Sequence, residues 1–431
     1  RASLAQRLRA APRWLLKRPF AAAMAALLVV ALVGGMTAWR IVADAPLPPP
    51  PPDLAAAAML AMEDGDAAQA RKLAETLDES QAGTRAYVLG MLALADADAA
   101  DDRDRPRLAL AAARHLEDAQ AYGFPGEKGE GEIALGRALA LSGQVEPARL
   151  VFRDALAAAP EREADIRLHF AAMLTGGGQD DAANALDQAR RLLALDSLSP
   201  GRRAAAVLLQ AESLLTLARE EECLQALDEL PPHSKRQADA AVLRARAWLA
   251  QGRTAKEKSP QQAKEKFSAA VDLLRTAQDS GLPADPPVRR AMYLIGCCLE
   301  ELGETQGAVD QFVRTRLLYS TTYEGLAANL NEARLLRQAG HDAEALEAYR
   351  RVLREVEAPE LYRNPWVSTE AIRRGVLAAF DHYLKAKKYE ACFNLIAGFP
   401  PLFPQDRATQ ATAEVHRAHG RNLLAQAAEI P

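Results

Sequence analysis

An all-α solenoid of helical hairpins, preceded by one transmembrane helix, is the fold the sequence predicts. Three observations carry that reading. Alanine and leucine, the best apolar helix formers, dominate a 431-residue chain in which aromatics make up only 5%. From Leu54 onward, helical segments alternate with short Gly- or Pro-containing breaks at a spacing of 34 to 41 residues, and self-similarity at such a period marks a stacked-repeat architecture. Finally, residues 20–39 run for twenty positions without a charge.

The N-terminal tail, residues 1–18, carries Arg1, Arg7, Arg9, Arg13, Lys17 and Arg18 and no acid. The formal net charge of −4 therefore conceals a tail of +6 and a remainder of −10. A nucleic-acid binder usually has a basic body, so no nucleic-acid partner is expected. The apolar segment FAAAMAALLVVALVGGMTAW lies within residues 19–41. As a helix it is about 30 Å long, the thickness of a bilayer's hydrocarbon core. Trp14 and Trp39 flank it where interfacial aromatics sit. A cleaved signal peptide is the rival reading. Its apolar region would be shorter, about 7–15 residues, and Pro46 directly follows the nearest small-x-small site, Ala43-Asp44-Ala45. An uncleaved anchor is expected, with the basic tail in the cytoplasm by the positive-inside rule. The bulk of the chain then lies outside, in the periplasm of an inner membrane. Residues 42–53 contain Pro46-Leu47-Pro48-Pro49-Pro50-Pro51-Pro52, a stiff polyproline spacer of roughly 20 Å at ~3.1 Å per residue.

Residues 54–431 form the repeat body, expected to hold eight or nine hairpins. Its clearest unit runs over 129–162, with Leu135, Gly136, Gly143, Ala148, Phe152, Ala155 and Pro160 at positions 7, 8, 15, 20, 24, 27 and 32. Ile295, Gly296, Gly303, Ala308 and Phe312 repeat the pattern, as do Ala333, Gly340, Ala345 and Tyr349. Weaker units carry Ala182, Leu186 and Ala189; Ala211, Cys223 and Leu227; and Gly252, Ala263, Phe267 and Ala270, the last with an excess of residues at Ala255–Pro260. Degenerate units begin the array at Gly65, Ala70 and Leu73 and end it at Ala379, Ala391 and Leu395. Residues 408–428 add a first helix with no second, and the chain opens on Arg1, so a fragment of a longer protein is expected. Small residues at 8 and 20 let two antiparallel helices approach. A large side chain at 24 fills the space between hairpins, and proline at 32 stops the second helix.

This pattern resembles the tetratricopeptide repeat, and the resemblance covers nearly all of 54–431. It implies a right-handed superhelix whose first helices line a concave groove that binds protein or peptide partners. By register the groove would include Arg246, Tyr293, Arg334, Arg337, Arg373, Phe380 and Tyr383, together with Glu300 and Leu330. Arginines and aromatics are both enriched at binding hot spots. A carboxylate-clamp set is not read, because Tyr293 and Cys297 stand where Lys and Asn would be, leaving only Asn331 and Arg373.

Chemistry is otherwise sparse. No phosphate loop, HExxH, G-x-S-x-G or dinucleotide fingerprint is present, and each of those motifs would carry a specific mechanism. Cys223, Cys297, Cys298 and Cys392 lack zinc-type spacing and read as small buried apolar residues. His416 and His419 share a helix face without a third ligand. The acidic stretch Asp96, Asp98, Asp101, Asp102 and Asp104 lacks the central Gly and closing Glu of a calcium loop, and reads as a solvated insertion. No enzyme, cofactor, metal or small-molecule substrate is expected. The expected function is a membrane-tethered scaffold in envelope assembly or quality control. The alternatives are a cytoplasm-facing membrane adaptor and the regulatory repeat half of a longer enzyme.

Overall fold

The computed structural model describes residues 53–429, apart from 197, 232 and 361. The basic tail, the apolar segment and nearly all of the proline-rich linker lie outside the described residues. Among the described residues no helix is long and apolar enough to cross a membrane.

The described chain is all-α. Its helices are α1 (Leu54–Glu63), α2 (Ala67–Thr76), α3 (Ala82–Ala99), α4 (Arg105–Tyr122), α5 (Glu130–Leu141), α6 (Val145–Ala158), α7 (Glu163–Leu174), α8 (Gln179–Leu193), α9 (Pro200–Thr216) and α10 (Glu220–Asp228). They continue as α11 (Gln237–Ala255), α12 (Pro260–Asp279), α13 (Pro286–Glu301), α14 (Thr305–Leu318), α15 (Tyr323–Gln338), α16 (Asp342–Glu355), α17 (Thr369–Lys385), α18 (Tyr389–Ile396) and α19 (Gln405–Ala428). Each odd-numbered helix up to α17 pairs with the next to make a hairpin. The odd-numbered helices also pack on one another from hairpin to hairpin, so they form the inner layer of a helical solenoid. Helix α19 closes the series as an unpaired first helix.

One turn motif recurs within the hairpins. In the third, the amide of Gly143 donates to the Ala140 carbonyl at 3.0 Å and that of Gln144 to the Leu139 carbonyl at 2.8 Å. This pair of bonds satisfies the last carbonyls of the first helix and needs a left-handed residue between them. Gly143 supplies it at φ +85°. The same turn is built on Ala218 (φ 54°) and Lys387 (φ 59°) in the fifth and ninth hairpins, where a side chain makes that conformation more costly.

The repeat pattern has a direct steric basis. A Cβ placed on Gly136 would meet the Phe152 ring at 2.7 Å, and one on Gly296 the Phe312 ring at 2.6 Å. The aromatic at position 24 thus lies flat over the glycine at position 8. Phe152 also stacks on Phe170 of the next hairpin at 5.5 Å, so one ring joins two units. Phe152, Phe267, Phe312, Tyr349 and Phe380 are all fully buried. The excess read at Ala255–Pro260 is mostly the link itself, since α11 ends at Ala255 and α12 opens at Pro260; Gly252 lies under the Phe267 ring, in the place Gly136 takes under Phe152.

Successive superhelical turns meet. Asp102, in the α3–α4 turn, is only 2% exposed. Its carboxylate accepts from Arg105, from the Tyr323 amide at 3.0 Å and from Arg289 at 3.4 Å. The reading of this acidic stretch as solvated is therefore wrong at Asp102, which is clamped between the second hairpin and the seventh and eighth. Beside it, Arg103 reaches Glu355 at 4.0 Å. Arg363, on the α16–α17 connection, lies directly against Gly143. The turn edge of hairpins two and three thus sits on hairpins seven and eight and on the connection that follows them.

Candidate functional site

A cavity of about 350 Å³ opens on the inner layer. Its aliphatic floor is Leu168 of α7, Leu208 and Leu209 of α9, and Val242 and Leu243 of α11. Polar walls rise from the same helices and from α13. Arg246 pairs with Glu212 at 2.9 Å, Arg236 with Asp239 at 3.3 Å, and Arg290 lies 3.8 Å from Asp239. Three guanidiniums thus face two carboxylates. The remaining titratable wall residue, His169, is pushed down to about 4 by burial, reinforced by Arg137. It is neutral near pH 7, and the cavity keeps one excess positive charge.

The chain itself covers one side of this cavity. The α16–α17 connection, Val356–Ser368, is the longest link between helices in the array, and it brings Pro365 and Trp366 into the lining. The Trp366 ring packs 5.1 Å from that of Tyr293, and the Arg246 guanidinium lies 5.4 Å over the indole. Indole Nε1 donates to Glu324 Oε1 at 3.0 Å, and Glu324 is 2% exposed. Behind it, Glu324 Oε2 is 3.1 Å from Arg289, which also holds Asp102. The wall of the cavity and the inter-turn clamp are therefore one charge network.

No protein-family model matches the chain, and no curated protein sequence does either. Solved structures are similar at low level. A Rap protein complexed with competence and sporulation factor is 12% identical with a TM-score of 0.39, over 85% of this chain and 98% of that one. The human IFIT1 dimer with m7Gppp-AAAA is 15% identical with a TM-score of 0.38, over 86% and 89%. The architecture described above rests on the hairpin geometry, not on these alignments.

The residues expected to line the groove separate into three groups. Arg246 lines the cavity, while Tyr293 is buried behind Trp366 and is not part of the lining. Arg334 and Glu300 are paired with each other at 2.6 Å, while Asn331 donates to the Tyr293 hydroxyl at 3.3 Å. Arg337 lies part-buried beside Tyr349, whose hydroxyl is raised chiefly by burial, and Leu330 is buried. None of Arg334, Arg337 and Leu330 borders the cavity. The last three expectations are corrected. Phe380 and Tyr383 have no exposed surface: Phe380 packs edge-on against Phe399 at 6.3 Å, and the Tyr383 hydroxyl donates to the Asp342 carbonyl at 3.1 Å. Arg373 donates to the Leu402 carbonyl at 2.9 Å. The cause is the α18–α19 connection, whose Phe399, Leu402 and Phe403 are buried and cover the end of the array where a groove would otherwise continue.

All four cysteines are buried free thiols. Burial raises Cys223 and Cys298 to about 12 and Cys297 and Cys392 to about 11, so they pack as small apolar groups rather than as nucleophiles. His416 and His419 lie over Phe393 and Tyr389 at 5.0 and 4.5 Å, which gives them a packing role the sequence reading lacked. The register could not reveal Trp366, Glu324 and Asp102. The one local signal was an overlong connection carrying Asn364-Pro365-Trp366.

Proposed function

We propose that the chain is a scaffold that binds an extended segment of a partner protein on the inner face of its hairpin array. The cavity over α7, α9, α11 and α13 supports this reading most directly. It is drawn from four consecutive first helices, so its length follows the stacking of repeats, and it joins an aliphatic floor to arginine and carboxylate walls. That mixture suits a peptide with apolar anchors and a polar backbone to satisfy. The −10 charge of the chain beyond the tail argues against a polyanionic ligand. No residue is assigned a catalytic role.

The test is panning of a displayed random-peptide library against the full chain in mild detergent. Enriched peptides are expected to bind Leu208→Glu and Arg236→Glu variants about tenfold more weakly or worse, and to bind an outer-surface Arg153→Glu control as well as they bind the parent. Equal binding by all three variants would remove the cavity from the function.

The same proposal includes the membrane. Residues 20–39 would tether the scaffold, the proline run would lift it off the surface, and the basic tail would remain in the cytoplasm, which suits a role in envelope assembly or quality control. An alkaline phosphatase fused after Pro52 is expected to be active in the periplasm. Activity only from a reporter that works in the cytoplasm would reverse the orientation.

A further inference from the structure

The partner cavity is already partly filled. Trp366 reaches it from a connection that crosses between superhelical turns, and the contacts it makes there have the form of a ligand's contacts. The ring packs tilted against Tyr293, a guanidinium from Arg246 lies over it, and a buried carboxylate of Glu324 accepts the indole proton at 3.0 Å. The buried Glu324 carboxylate is paired with Arg289 at 3.1 Å and Arg290 at 3.9 Å, and its Oε1 has room for one more donor, which an aromatic N–H can supply.

The strap that delivers this ring is fastened by side chains alone. Between Glu357 and Val367, among the described residues, it makes no backbone hydrogen bond to any other element. Its shape comes from its own side chains. Asn364 Oδ1 accepts from the amides of Trp366 and Val367, and the Tyr362 hydroxyl donates to the Val367 carbonyl. Its fastenings to the rest of the array are side-chain contacts: Asn364 Nδ2 to the Tyr323 carbonyl at 2.9 Å, Arg363 against Gly143, the packing of Tyr362 and the buried Val367 on the core, and Trp366 itself. The strap can therefore leave without breaking a helix or a ladder of backbone bonds. Open cavity continues from Trp366 across α11 and α9 to His169, giving an extended chain somewhere to run once its anchor is seated.

We infer that Pro365–Trp366 is an internal occupant of the partner site, and that the partner is an extended peptide whose tryptophan replaces Trp366 on Tyr293, Arg246 and Glu324. This rests on the peptide-binding reading of the same cavity and adds how access to it is regulated. Because the strap is tethered, it competes at an effective concentration of about 1 mM. If the strap's own segment binds the open subsite with a Kd of about 10 μM, any competing peptide binds the intact chain about 100-fold more weakly than it binds the open one.

The probe is a labelled peptide with the sequence of residues 362–368, and the same peptide with its tryptophan replaced by alanine. Binding to the full chain in mild detergent is followed by fluorescence anisotropy. The Trp366→Ala chain is expected to bind the tryptophan peptide about 100-fold more tightly than the parent does, and to ignore the alanine peptide. Adding Tyr293→Ala should abolish the gain. A second variant, Arg363→Ala with Asn364→Ala, keeps Trp366 but cuts the strap's fastenings, and should show a smaller gain; it decides the matter if Trp366→Ala fails to fold. If both variants retain the parent's helicity and melting temperature and bind the tryptophan peptide no better than the parent, the internal-occupant inference is wrong. Library peptides that still depend on Leu208 and Arg236 would then leave the scaffold reading standing. Loss of that dependence as well would remove both.

Discussion

Asp102→Ala is expected to destabilise the array by about 3–5 kcal/mol, the range for removing one partner from a buried charge pair. The carboxylate is 2% exposed and serves Arg105, Arg289 and the Tyr323 amide at once. Truncation leaves a buried amide without an acceptor and leaves Arg289 to Glu324 alone. A buried pair is not by itself stabilising, because desolvation offsets its attraction. The informative comparison is therefore a cycle with Arg289→Met. The double variant should lose much less than the sum of the two single variants, since neither charge is then left stranded. Urea denaturation of the four proteins measures this directly. An Asp102→Ala chain within about 0.5 kcal/mol of the parent, the usual range for an ordinary surface change, would mean that the inter-turn contact contributes nothing to stability.

Phe152→Ala should cost a similar amount, about 3–5 kcal/mol for a buried aromatic, and its effect should reach beyond its own hairpin. The ring covers Gly136 in the third hairpin and stacks on Phe170 in the fourth, so both units lose packing. Gly136→Ala supplies a sharper test. In the parent, the added methyl meets the Phe152 ring at 2.7 Å, and overpacking of this kind costs about 1–3 kcal/mol. In the Phe152→Ala background that obstacle is gone, the methyl occupies part of the vacated space, and alanine is the better helix former by about 1 kcal/mol. Gly136→Ala should therefore destabilise the parent and stabilise the Phe152→Ala chain. The same sign in both backgrounds would show that the ring does not lie over the glycine.

These two predictions differ in how far the sequence reveals their basis. The Gly136–Phe152 contact is local: two residues sixteen positions apart in one hairpin meet because the helix period and a tight turn bring them together. Most hairpins are legible for the same reason, though the second, α3–α4, fits no repeat unit read from the sequence, and Ala218 and Lys387 close turns where a glycine would signal them. The Asp102–Arg289 contact spans 187 positions. It arises from the accumulated rotation of four intervening hairpins, and no repeat pattern encodes that sum. Site reading fails at the same point. Arg246 lines the cavity from its register position, because its neighbours are the adjoining first helices. Phe380, Tyr383 and Arg373 have the right register but lie under Phe399 and Leu402, where a connection folds back over the end of the array. Trp366 comes from a connection outside the repeat altogether.

A stack of repeats held only by nearest neighbours has two loose ends, and unfolding can begin at either and travel inward one unit at a time. The clamp at Asp102 removes that freedom from most of this array. Hairpins three to six lie between its two halves, as links in a hoop. Such links cannot peel away in sequence while the hoop is closed, because the loss of any one opens the ring and strains all the rest. Among the described units, α1–α2 and α17–α19 lie outside the hoop. The hoop gives the described array a hard middle. The seam that makes the middle hard shares Glu324 and Arg289 with the wall that receives Trp366, so whatever draws the tryptophan away from Glu324 also alters the charge balance of the seam.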